Sequence, residues 1–196
     1  MRMKTKSKAL LLTLCAVLLV TASVLGTIAY LTSTDTVENT FTVGSVEISM
    51  DEAAVNPDGT VIANADRVQE NSYHLLPGHP YTKDPIIHVG SDSEDCWIFV
   101  KVENGISDIE AGTTIANQLT TNGWTAVSGT TDIFAYQDIV SKDTDIPVVG
   151  SFTISGDVDA DDLAEYENAE IIVTAYAVQA DGFMTAEAAW TAADFE

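Results

Sequence analysis

The sequence predicts an all-β protein, a jelly-roll-like antiparallel β-sandwich carrying a few short helices. Three observations predict it. Short segments rich in Val, Ile, Thr and aromatic residues recur through the chain. Turn chemistry separates them, as in Asn56-Pro-Asp-Gly and Leu76-Pro-Gly-His-Pro. Strict alternation places Ile98, Val100 and Val102 on one face of a Cys96–Glu103 strand. No period marks internal repeats.

The chain opens differently. Arg2, Lys4, Lys6 and Lys8 precede an apolar run from Ala9 to Val24 broken only by Thr13, Thr21 and Ser23. Small residues follow, and Thr27 and Ala29 occupy the −3 and −1 places of a cut before Tyr30. This is the layout of a secretory signal peptide over 1–29. An uncleaved anchor is the rival, since the apolar stretch reaches Tyr30 and is near the length of a membrane span.

All 30 acidic side chains lie beyond Ala29, with only four of the eight basic ones, so residues 30–196 carry a net charge of −26. Such a surface repels nucleic acid and anionic membranes. One cysteine, Cys96, lies beyond the leader, which excludes an internal disulfide there. In Cys96-Trp-Ile-Phe-Val it reads as a small buried hydrophobe.

Residues 30–44 form a separable lead segment. Val37, Phe41 and Val43 share one face of an extended chain, opposite Glu38, Thr40 and Thr42. The phase flips at Gly44, where Val46, Ile48 and Met50 come to share a face. Glycine tolerates such a bulge or hinge. Beyond it, residues 45–196 form the sandwich domain. Strands are expected at Tyr73–Leu76, Ile86–Val89, Cys96–Glu103, Trp124–Val127, Ile133–Val140, Val148–Ile154 and Ile171–Val178. Trp97 and Phe99 line the second face of the Cys96 strand, so that face should be covered too. Ser107 and Glu110 form a capping-box pattern for a helix through about Leu119. One or two helical turns fall at Asp161–Tyr166, and a final helix at Thr185–Phe195 is capped by Thr185 and offers Trp190 to the body.

No catalytic constellation stands out. A zincin needs His-Glu-x-x-His on one helix. Here His74 and His79 are separated by Pro77-Gly78, and His88 sits in an apolar strand. No cofactor is expected. Asp157, Asp159 and Asp161 resemble the start of a calcium loop, but Asp162 stands where such a loop needs glycine and Asn168 where it needs a closing glutamate. The run reads first as an acidic helix N-terminus, with a looser calcium contact as the alternative. Trp97, Trp124, Trp190, Tyr136 and Tyr176 read as packing rather than as a sugar platform.

Several blocks resemble the TasA/camelysin family of exported bacterial proteins: Gly26-Thr-Ile-Ala-Tyr-Leu-Thr, Asn39-Thr-Phe-Thr-Val-Gly-Ser-Val-Glu-Ile, Leu76-Pro-Gly with Thr82-Lys-Asp, Cys96-Trp-Ile-Phe-Val-Lys-Val-Glu-Asn, and Ala175-Tyr-Ala-Val-Gln-Ala-Asp-Gly-Phe with Ala189-Trp. The resemblance implies a jelly roll and processing by a SipW-type signal peptidase. It also implies secretion to the cell surface or biofilm matrix, and fibres in which the N-terminal strand of one subunit fills the sheet of the next. A co-secreted anchoring protein is a further implied partner. The chain lacks the long lysine-rich insertions of the longer matrix members. Some members carry a metallopeptidase label, so a secreted camelysin-type peptidase is the alternative to a non-enzymatic fibre subunit. The positions of consequence are then Thr27, Ala29 and Tyr30 for cleavage, Val37, Phe41 and Val43 for strand donation, and Gly44 as the hinge.

Overall fold

The computed structural model describes residues 13–19, 44–193 and 195. The chain divides into two compact units, Met1–Thr42 and Val43–Glu196. In the first, residues 13–19 form a short helix, α1, with exposed side chains. Among the described residues no helix is long and apolar enough to cross a membrane.

The second unit is built from antiparallel sheets. Four strands order as β5 (Trp124–Ala126), β6 (Ile133–Tyr136), β4 (Cys96–Asn104) and β9 (Ile171–Gln179). Three more order as β1 (Ile48–Asp51), β3 (Ile86–Val89) and β7 (Asp145–Pro147), and β2 (Pro80–Thr82) pairs with β8 (Ser151–Thr153). The longest ladder runs the whole length of β4 and β9, from Cys96 opposite Gln179 to Asn104 opposite Ile171.

Alternation along β4 decides what packs where. Ile98, Val100 and Val102 face the main core, with Ile87 and Val89 of β3, Ile146 of β7 and Phe152 of β8. Trp97 and Phe99 face the other way, into a second core with Ala135, Ala180 and Ala189. Helix α4 (Ala186–Ala193) covers that face, and the Trp190 ring lies 5.1 Å from Phe99 and 5.6 Å from Tyr176. Thr185 Oγ1 accepts the Ala188 amide at 3.2 Å and so starts this helix. Cys96 is fully buried, and burial pushes its thiol up to about 11. At neutral pH it is an inert packing group.

Several local expectations are corrected. Tyr73–Leu76 is not a strand; its hydrogen-bonding groups go to Thr82 and Tyr81 instead of to a ladder. Tyr73 donates to the Thr82 carbonyl at 2.9 Å, and the Leu76 amide donates to the Tyr81 hydroxyl at 2.7 Å. The strand of this region is β2, which begins at Pro80, where a missing amide costs no ladder bond. The Ser107 capping box does not form. Residues Ser107–Ile109 make one 3-10 turn without a side-chain cap, and a separate helix α2 (Ile115–Thr121) is capped by Thr114 Oγ1. Glu110 accepts instead from Asn104 Nδ2 and the Ile115 amide. Strand β6 stops at Tyr136, while Val140 returns as a single bridge to Cys96. The expected Val148–Ile154 strand is shorter, because Val148–Gly150 carries the chain from β7 to β8.

Candidate functional site

The two outer strands on one side of the sandwich frame a groove. Among the described residues β1 pairs only with β3, and β9 only with β4. The groove between them has a volume of about 1180 Å³ and is lined by Ile48, Met50, Leu75, Ile106, Val173 and Ala175, among others.

Strand parity shows what each wall offers. The Gly90 amide donates to the Glu47 carbonyl, so odd-numbered residues of β1 turn their backbone groups toward β3. Ile48 and Met50 therefore aim theirs at the groove while their side chains pack on the core. Glu52 ends this free edge by exchanging both backbone bonds with Val68 at 2.8 Å. On β9, Glu170 and Ala180 bond toward β4, at Gly105 and Asp95. Ile171, Val173 and Ala175 then direct amides and carbonyls to the groove. Among the described residues both walls thus combine unpaired backbone groups with apolar side chains on the inner face.

One end of the groove is polar. Glu52 is 4% exposed and takes Lys83 Nζ at 2.9 Å on one carboxylate oxygen and Asn71 Nδ2 at 3.0 Å on the other. Asn71 Nδ2 also donates to the Ala53 carbonyl at 2.9 Å, and Asn71 Oδ1 accepts the Val55 amide at 3.0 Å. Burial, with the charges of Glu52 and Asp84, pushes the neighbouring Tyr73 phenol well above its usual range.

The outer end of β1 is pinned by a second cluster. His88 on β3 reaches Asp145 of β7 at 2.6 Å through Nδ1 and Asp51 of β1 at 3.1 Å through Nε2. Arg67 bonds both Asp51 and Asp84. Hydrogen bonds to Asp145 and then Asp51 hold the His88 imidazole above its ordinary value. Burial alone would raise the Asp51 carboxyl, but bonds from Arg67 and His88 keep it below the usual carboxylate range.

Of the residues singled out in the sequence, Thr27, Ala29, Tyr30, Val37, Phe41 and Val43 lie outside the described residues. Gly44 is exposed with its φ outside the left-handed region, and the Glu94 side chain lies where a Cβ would sit. Asp159 and Asp162 are occupied in a reciprocal capping box at the start of α3 (Ala160–Ala164), and the Asp157 amide bonds Ser155 Oγ. His79 contacts the Asp58 carbonyl at 2.8 Å, and His74 is exposed. Among the described residues no group of three or more His, Cys, Asp or Glu is arranged to hold a metal ion.

Sequence reasoning missed the groove walls and the Glu52 cluster. The single signal for the latter was that Lys83 is one of only four basic residues beyond the leader. Comparison with protein-family models, curated proteins and solved structures finds no match to this chain.

Proposed function

We propose that this protein is an exported, non-enzymatic structural subunit of a cell-surface or matrix fibre, of the TasA/camelysin kind, with a jelly-roll topology. In this reading subunits join when the segment Thr36–Val43 of one copy lies in the groove between β1 and β9 of the next. The observation that carries it is the pair of outer edges at this groove, each with a free row of backbone groups among the described residues, so that an added strand finds partners at either edge. The alternation of Val37, Phe41 and Val43 suits an apolar floor, and Glu38, Thr40 and Thr42 would then face outward. The basic, then apolar leader with Thr27 and Ala29 before Tyr30 supports export and processing by a SipW-type peptidase, which would free this segment.

The test is electron microscopy of the processed protein beside forms lacking Thr36–Val43 or carrying Phe41→Asp. Polymers are expected from the parent alone, with both variants remaining folded monomers. Polymers that persist after the deletion would overturn strand donation.

A further inference from the structure

The polar end of the groove places a nucleophile, an amide, a proton carrier and an oxyanion donor within one part-buried cluster. We propose that Lys83 and Asn71 become joined by an intramolecular isopeptide bond, with Glu52 carrying the protons. The inference is independent of strand donation.

Each part has its own observation. Glu52 holds Lys83 Nζ and Asn71 Nδ2 on its two oxygens, at 2.9 and 3.0 Å, so amine and amide are gathered at one carboxylate. Asn71 is fixed in orientation by three bonds: Nδ2 donates to Glu52 and to the Ala53 carbonyl, and Oδ1 accepts the Val55 amide. The Val55 bond polarises the Asn71 carbonyl and lies where an oxyanion would form. The Lys83 and Glu52 side chains are 11% and 5% exposed, so bulk water has little access to the pair. Holding the reactants together replaces a bimolecular encounter, an effect that reaches effective molarities on the order of 10⁵ M or more.

The step balances without oxidant or cofactor. Glu52 takes a proton from the Lys83 ammonium, and the neutral Nζ attacks Asn71 Cγ. The new Nζ–Cγ bond places negative charge on Oδ1, against the Val55 amide. Glu52 gives its proton to Nδ2 and receives one from Nζ. The carbonyl re-forms as the Cγ–Nδ2 bond breaks, and ammonia leaves, taking the proton that returns Glu52 to its carboxylate. The product ties the segment before β2 to the residue just after it, securing the groove wall that contains Tyr73 and Leu75.

Intact-mass measurement of the full chain, with its N-terminus determined by sequencing, should find every molecule lighter than its sequence by one ammonia. Trypsin should then fail to cut after Lys83 and give one peptide, 68–101, carrying that loss. Chymotrypsin cutting within it, between Asn71 and Lys83, should leave the pieces still joined. A succinimide at Asn122-Gly123 also loses ammonia, but it would appear in peptide 102–142. Lys83→Arg and Glu52→Gln should restore the full mass, and Asn71→Asp should lose water instead. An unmodified mass with normal cleavage after Lys83 overturns the proposal. So does a loss that survives Lys83→Arg.

Discussion

Trp124 donates its indole N–H to the carbonyl of Pro147 at 3.1 Å, joining the outer strand of the four-stranded sheet to the outer strand of the three-stranded one. Helix α2 reinforces the same side: Gln118 bonds the Gly150 amide and the Ser151 carbonyl, and Asn122 bonds the Val148 carbonyl. The opposite outer strands, β1 and β9, frame the groove. One side of the sandwich is thus closed by side chains, and the other presents backbone.

Trp124→Phe tests the closed side. The ring is 1% exposed, so phenylalanine leaves a small cavity and strands the Pro147 carbonyl without its donor. A loss of about 2–4 kcal/mol is expected from the two effects together. Urea denaturation followed by fluorescence of the remaining tryptophans measures it. A variant as stable as the parent would mean that the indole bond holds nothing.

Ala175→Glu tests the open side. Ala175 lies on β9 with its backbone toward the groove and its side chain packed on the core face. A carboxylate there opposes any apolar strand entering from the next subunit, at a cost of several kcal/mol for an unpaired buried charge. Polymer should vanish in sedimentation while circular dichroism keeps the β signal. Unchanged polymer would place the junction elsewhere.

Gly59→Ala tests the turn after Asn56. Gly59 has φ 78°, and a Cβ would lie 2.7 Å from Tyr81 Cα, backbone that has no room to move. The left-handed conformation alone costs about 1–2 kcal/mol, and the clash with the buried Tyr81 adds to it. A lowered midpoint in urea, corresponding to a loss of stability clearly larger than that backbone cost, is expected. An unchanged midpoint would show that the hairpin repacks freely.

How far the sequence revealed these features depends on how local each one is. The Cys96–Asn104 strand was legible because alternation and β-branched content agree over nine residues, with both faces apolar. Trp190 was legible because it is the large aromatic on a capped helix beside an uncovered strand face. Tyr73–Leu76 misled because its apolar residues suit a strand, while the Tyr73 and Tyr81 hydroxyls hold it in another path. Glu110 misled because a capping box fits its spacing, but Asn104 and Ile115 compete for its carboxylate and win. The groove was out of reach: it depends on which strands end up outermost, and that is settled by pairings far apart in sequence. Glu52, Asn71 and Lys83 meet for the same reason, across separations of 19 and 31 residues from Glu52.

His88 makes the three-stranded sheet sensitive to pH. Its ring bridges Asp145 and Asp51 on the two flanking strands, and those bonds raise its value in the folded state. Arg67 and Asp84 complete the charged surroundings through Asp51. A raised histidine favours folding while protonated. That stabilisation is complete below about pH 6.5 and fades as pH climbs through the elevated folded value. Asp51 acts in the opposite sense: its lowered carboxyl contributes above about pH 4 and loses the contribution as pH falls through the folded value. The stability gap between the parent and His88→Gln should therefore be widest in mildly acidic solution and shrink on the alkaline side. Denaturation at several pH values from about 5 to about 9 measures the gap. A constant gap would show that the imidazole holds β1 and β7 by shape alone, with no share for its charge.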